Sequence, residues 1–224
     1  MKSSPCGRGA RAALSALTSA AASLTLALAP ALSLGVAPAS AATVTVTVQD
    51  AAGLPLPGSA VFLESDAARA AVRPLAGAEI AQQHKQFTQR VTVVPVGTAI
   101  QFPNRDTVRH HVYSYSPTKT FELKLYAGTP SKPVLFDKPG IAVLGCNIHD
   151  TMIAWVVVVP TPYYGLSDAA GRVQLADVPP GSYRLRSWNP AFAVGAPALD
   201  QPLEVAAEGA RAAVQLPVSA AAAR

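Results

Sequence analysis

Short apolar runs separated by turn residues are the feature that most restricts the fold of this chain. Val, Thr and Ile recur in segments such as TVTVTV at 43–48, and Pro or Gly interrupts these segments about every 8 to 12 residues. No amphipathic helix of useful length is present in the pattern. Short strands bounded by turns are typical of sandwiches, and we therefore predict an all-β protein.

Residues 1–41 differ from the rest of the chain and have the pattern of a secretory signal peptide. A basic start is followed by an apolar run at 12–36 and by the small residues Ala39-Ser40-Ala41, which suit cleavage. The alternative is an uncleaved membrane anchor, because the apolar run is long enough to span a bilayer, which takes about 20 residues. Pro30 and many Ser and Thr residues weaken such a helix. We therefore expect cleavage, export to the periplasm and no stable membrane span in the mature protein.

The charge balance gives no indication of a nucleic-acid partner. The chain has 18 basic and 13 acidic residues, and three of the basic residues lie in the leader, which leaves a net charge of +2. The remaining basic residues are scattered, without the basic runs or the aromatic interleaving that single-strand binders use.

The stretch LGCNIHDTMIAW, at 144–155, carries the strongest chemical signal. Cys146, His149 and Met152 are spaced three residues apart, and Cys146 and Met152 are the only residues of their kind outside the leader. An isolated Cys is often a buried, inert residue. A thiolate, an imidazole and a thioether together are instead typical of a copper site, which needs one more imidazole. Apolar segments at 141–144 and 153–159 predict that two strands hold this loop.

The second imidazole is expected in the stretch FPNRDTVRHHVYS at 102–114, where a polar loop leads into a β segment. Neighbouring strand residues point to opposite faces, so His110 and His111 are not expected to bind the same metal. Asn104 and Asp106 are candidates for supporting the ligands, with turn formation as the alternative. His84 lies in a Gln- and Lys-rich segment and is predicted to be a surface residue.

With these residues in place, the segment 79–160 resembles the cupredoxins. The FPNRDTVRHHVYS and CNIHDTM stretches are similar to the amicyanin/plastocyanin-like group and to periplasmic cupredoxins labelled methylamine utilization proteins. This resemblance implies a Greek-key β-sandwich with one mononuclear type 1 copper site. The implied ligands are His110, Cys146, His149 and Met152. His111 falls where the family has a bracing Asn, and His149 is expected nearest the surface, as the electron port. We expect Ile148, Ile153 and the flanking strands to keep the sulfur dry.

The flanking segments resemble the carboxypeptidase-regulatory-like or transthyretin-like β-sandwich. The resemblance lies in GLSDAAGRVQLADVPPGSYRLRSWNP at 165–190, whose DAAG turn repeats the one at 50–53. We predict that residues 42–78 and 161–218 form one smaller sandwich, that the cupredoxin unit at 79–160 is inserted in it or packed beside it, and that residues 219–224 form a disordered tail. The Ala-rich part at 65–78 could be a loop or a short helical turn.

The expected function is the transfer of single electrons between redox proteins, for example a periplasmic dehydrogenase or a cytochrome c. An enzyme is not expected, because only His84 and His111 remain for a second copper site, and no hydrolase or nucleotide-binding motif is present. Two alternatives remain. One is a periplasmic protein that stores or delivers copper without redox turnover, and the other is a structural β-sandwich binding module.

Overall fold

The computed structural model of the chain describes residues 42–219, and β-strands make up almost all of its regular structure. The predicted leader and residues 220–224 of the predicted tail lie outside this range. In chain order the strands are β1 (Ala42–Gln49), β2 (Ala60–Glu64), β3 (Ala78–Glu79), β4 (Gln82–Gln83), β5 (Gln86–Phe87), β6 (Val91–Pro95), β7 (Thr98–Gln101), β8 (His110–Ser116), β9 (Lys119–Tyr126), β10 (Val134–Phe136), β11 (Gly140–Cys146), β12 (Ile153–Val159), β13 (Tyr164–Leu166), β14 (Arg172–Val178), β15 (Gly181–Trp188), β16 (Leu199–Val205) and β17 (Ala210–Gln215).

A five-stranded sheet and a three-stranded sheet enclose the core in which the predicted ligands lie. The larger sheet has the order β6-β12-β11-β8-β9, and the smaller has the order β10-β7-β3. Side chains of both sheets meet in one buried cluster, which includes Ile100 of β7, Phe136 of β10, Leu144 of β11 and Val156 of β12. The prediction of an all-β sandwich is confirmed.

The first and last strands of the described range form two further sheets. One has the order β14-β1-β17 and the other the order β13-β2-β15-β16. In β1, Thr alternates with Val, and the side chains of Val44, Val46 and Val48 are fully buried in the cluster that these sheets share. This is the period of two expected when one face of a strand covers a core. The domain boundaries proposed from the sequence stay a prediction.

The segment that the sequence left open, 65–78, contains a short helix, α1 (Asp66–Ala70). The helix begins where the hydroxyl of Ser65 accepts a hydrogen bond of 3.1 Å from the backbone N–H of Ala68, as Ser commonly does at an N-cap. Within residues 42–219, no helix has the length and apolar character needed to cross a bilayer.

Candidate metal centre

Two adjacent strands and one loop bring three of the predicted ligands together. His110 is the first residue of β8, and Cys146 is the last residue of β11. These strands pair antiparallel, with Cys146 opposite Val112, so the two side chains enter the same end of the sandwich. His149 lies in the loop that connects β11 to β12. Its carbonyl accepts a hydrogen bond of 2.9 Å from the N–H of Met152, which closes the loop back toward β12.

The donor atoms have the spacing that one metal ion requires. The sulfur of Cys146 lies 3.8 Å from Nδ1 of His110 and 4.0 Å from Nδ1 of His149. Ligand atoms of all three residues lie within 4.8 Å of one another. A borderline-soft ion about 2.3 Å from a thiolate and about 2.0–2.1 Å from an imidazole nitrogen would separate sulfur from nitrogen by about 3.8 Å at an angle near 120°. The three side chains therefore fit a single metal ion.

Burial differs sharply among the candidate ligands. His110 is completely buried, Cys146 is 4% exposed and Met152 is 1% exposed, whereas His149 is half-buried between the exposed residues Ile148 and Asp150. Cys146 and Met152 belong to the same apolar cluster. A metal ion bound here would therefore lie in a dry environment, with His149 as the ligand nearest to solvent.

The flanking strands bury the sulfur as expected, whereas Ile148 and Ile153 contribute little. Their side chains are 49% and 47% exposed, because Ile148 is in the turn of the loop and Ile153 is on the outward face of β12. The buried neighbours of Cys146 are instead apolar residues such as Val112, Leu144 and Ala154, which alternate inward along β8, β11 and β12.

His110 is also held from the side opposite the sulfur. Its Nε2 lies 2.8 Å from Oδ2 of Asp106, a carboxylate that is 13% exposed. Burial acts to raise the pKa of Asp106. Hydrogen bonds from the backbone N–H groups of Lys85 and His84 and from the His110 ring outweigh that effect, so the pKa of this carboxyl lies below its ordinary value. Asp106 is therefore an ionised partner of the imidazole.

His111 lies on the other face of β8, as the strand period predicts. Its Nε2 is 2.8 Å from a carboxylate oxygen of Glu122 on β9, but the two groups are not aligned for a hydrogen bond. The imidazole also contacts the ring of Tyr113 edge-on, at 6.2 Å between ring centres. These contacts are with side chains of the five-stranded sheet, not with the 146–152 loop. His84 is exposed, as predicted.

Comparisons with known proteins found resemblance in structure only. No protein-family model matches the chain, and no curated protein matches it significantly. A purple cupredoxin from Nitrosopumilus maritimus is 20% identical, with a TM-score of 0.33, and the match covers 37% of this chain and 99% of that one. An amicyanin variant in the Cu(I) form is 21% identical over 44% of this chain and 98% of its own, with a TM-score of 0.34.

A larger enzyme is also similar over part of its length. A copper-containing nitrite reductase from Thermus scotoductus is 20% identical, with a TM-score of 0.35, over 50% of this chain and 28% of that chain. With TM-scores this low, none of the matches establishes a function, and the case for a metal centre depends on the donor geometry.

Proposed function

We propose that this protein is a type 1 copper protein that carries single electrons between partner proteins in the periplasm. The observation that carries the proposal is the convergence of a buried thiol and two imidazole Nδ1 atoms, both within 4.0 Å of the sulfur. One thiolate and two imidazoles, with a weak thioether ligand, are the donors of blue-copper electron-transfer sites. Bound copper would supply the chemistry, a reversible change of one electron.

Met152 is the proposed fourth ligand. Its side chain is buried in the cluster that contains Cys146. Its backbone N–H donates a hydrogen bond to the carbonyl of His149, so the loop brings the side chain of Met152 to the same region of the core as that of Cys146. A thioether is a soft and weak donor, which suits copper better than the harder divalent ions.

The protein's own residues would keep the donors fixed while the electron is gained and lost. Cys146 and His110 are mounted on paired strands inside a packed core, and packed strands resist movement. Cys146 would bind as the thiolate, and each histidine would bind through an unprotonated nitrogen. A ligand set that moves little needs little reorganisation when the electron transfers.

His149 is the proposed exit and entry point for the electron. It is the most exposed of the three clustered ligands, and the neighbouring Ile148 side chain is 49% exposed. An exposed apolar side chain beside a half-buried ligand suits brief contact with a redox protein, such as a periplasmic dehydrogenase or a cytochrome c. In this proposal the protein is an electron carrier and not an enzyme.

Copper loading tests the proposal. We expect Cu(II) to give the metal-free protein an intense blue thiolate-to-copper absorption, with one copper per chain. Cys146→Ser should abolish the colour, because the charge-transfer band requires the thiolate. His110→Ala should perturb the spectrum strongly, whereas His111→Ala, the matched control on the neighbouring position, should leave it nearly unchanged. A colourless Cu(II) complex, or the opposite order of the two His variants, would contradict the proposal.

A further inference from the structure

The carboxylate of Asp106 occupies a position between a tight hairpin turn and the buried His110 ring. Strands β4 and β5 are joined by His84 and Lys85, whose φ angles are 55° and 57°. The N–H of His84 donates to Oδ1 of Asp106 at 2.7 Å, and the N–H of Lys85 donates to Oδ2 at 2.9 Å. The turn therefore donates one backbone hydrogen bond to each oxygen of the carboxylate.

This turn has an unfavourable sequence for its conformation. Two-residue hairpin turns with positive φ at both positions strongly favour Asn-Gly or similar pairs, and a side chain in the left-handed region costs roughly 1–2 kcal/mol per residue. The two hydrogen bonds to Asp106 give the strained backbone a compensating interaction. Backbone strain that surrounding contacts maintain is common near functional sites.

The backbone of Asp106 is fixed as well. Asn104 is buried, and its Oδ1 accepts a hydrogen bond of 2.9 Å from the N–H of Asp106. Its side-chain amide donates to the carbonyl of Val108 at 2.8 Å and to that of Tyr126 at 3.0 Å. Main chain and side chain of Asp106 are thus held independently, and its Oδ2 is directed at Nε2 of His110, 2.8 Å away.

This arrangement determines which nitrogen of His110 is free for a metal. A neutral imidazole has one N–H, and an ionised carboxylate can only accept a hydrogen bond, so the proton belongs on Nε2. Nδ1 is then left with its lone pair toward the sulfur of Cys146, at 3.8 Å. A carboxylate that accepts the second ring N–H also raises the basicity of a metal-binding imidazole.

We propose that Asp106 is a positioning residue of the copper centre, one that fixes the tautomer of His110 and strengthens its Nδ1 as a donor. This inference rests on the proposed function, because it requires His110 to be a copper ligand. A more basic imidazole favours Cu(II) over Cu(I), so Asp106 lowers the reduction potential of the site. The hairpin of β4 and β5 holds Asp106 in place for this role.

The test compares Asp106→Asn with Asp150→Asn. Both variants remove one negative charge near the ligands, but only Asp106 contacts an imidazole. An Asn cannot satisfy both turn N–H groups and also accept from His110. We expect Asp106→Asn to bind Cu(II) about 10- to 100-fold more weakly and to have a higher reduction potential, while Asp150→Asn stays near the wild type. Each tenfold loss of Cu(II) affinity beyond that of Cu(I) raises the potential by about 59 mV.

The outcomes separate this inference from the proposed function. If the wild type shows no thiolate-to-copper band, the proposed function fails. If the wild type is blue and Asp106→Asn has the affinity and potential of the wild type, only the role of Asp106 is overturned. If the variant does not fold, nitrogen NMR of the His110 ring in the metal-free wild type decides. A proton on Nε2 supports the inference, and a proton on Nδ1 overturns it.

Discussion

The side chains around Cys146 indicate that its thiol is a metal ligand and not an inert buried group. A buried thiol among Val and Leu side chains usually behaves as a small apolar residue. Here the sulfur lies within 4.0 Å of two imidazole nitrogens, and the ring centres of His110 and His149 are only 5.1 Å apart. Packing alone gives no reason to place two imidazoles around one thiol, whereas metal binding does.

Met152→Leu tests the fourth ligand. Leu has nearly the volume of Met and should preserve the packing, with a cost below about 1.5 kcal/mol in the free energy of unfolding. Loss of the thioether should shift the visible absorption of the Cu(II) protein and raise its reduction potential. Absorption spectroscopy and voltammetry measure both changes. A variant with the spectrum and potential of the wild type would show that Met152 is only a packing residue.

The ionised state of Asp106 predicts a dependence of stability on pH in the metal-free protein. Because the pKa of Asp106 in the folded chain lies below its ordinary value of 3.8, its charge stabilises the fold above pH 3.8. That contribution is lost as the pH falls from 3.8 through the lower pKa of the folded state.

Denaturant unfolding of the wild type and of Asp106→Asn at several pH values measures this effect. The difference in unfolding free energy between them should be constant at neutral pH and should shrink on acidification below 3.8. A difference that stays the same or grows in acid would contradict the assignment of Asp106 as an ionised hydrogen-bond acceptor.

At the scale of elements, strands with a clear apolar pattern could be predicted from the sequence, and so could the grouping of His110, Cys146 and His149, which stay candidate ligands. The apolar segments at 141–144 and 153–159 lie in β11 and β12, and the segment after the polar loop is β8, which begins at His110. The opposite faces of His110 and His111 follow from the strand period. These features involve residues that are close in the sequence, so their spacing can be read from the sequence directly.

Two elements near the site could not be predicted in this way. Strand β9 is the edge of its sheet, and its side chains are half-buried or exposed, so charged residues such as Glu122 and Lys124 hide the β pattern. The hairpin of β4 and β5 has two residues per strand, and Phe87 is the one apolar side chain in these two strands. Its contact with Asp106 joins residues 21 and 22 positions apart, which no spacing in the sequence indicates.

The repeated DAAG turns give a matched pair for testing backbone constraints. Gly53 and Gly171 both have positive φ, at 80° and 72°, and a Cβ on Gly53 would meet nothing within 4 Å. A Cβ on Gly171 would lie 2.3 Å from the carbonyl oxygen of Val48 in β1. That carbonyl accepts a hydrogen bond from Leu56, so it is not free to move away.

We therefore expect Gly53→Ala to lower the unfolding free energy by about 1–2 kcal/mol, the cost of the left-handed conformation alone. Gly171→Ala should be clearly more destabilising, because β1 must shift as well. Thermal or denaturant unfolding measures both variants. Equal losses at the two positions would show that the close approach to β1 is not maintained.

Across residues 42–219, the candidate centre lies in one pair of sheets, and a second pair is built from the first and last strands. A buried cluster connects the pairs, and it contains Phe62 of β2, Val157 of β12 and Trp188 of β15. The rings of Trp155 and Trp188 lie 6.3 Å apart at this contact. The sheet β13-β2-β15-β16 therefore packs against the outer face of the strands that hold the loop.

At the scale of the whole molecule, the protein should exchange an electron while it keeps its metal. The most direct measurement is a redox titration of the copper-loaded protein, followed by its blue absorption and by the copper content after each cycle. We predict one electron per copper, the same colour after every reoxidation and no loss of copper. Release of copper on reduction, or a site that cannot be reoxidised, would contradict the claim and favour copper delivery instead.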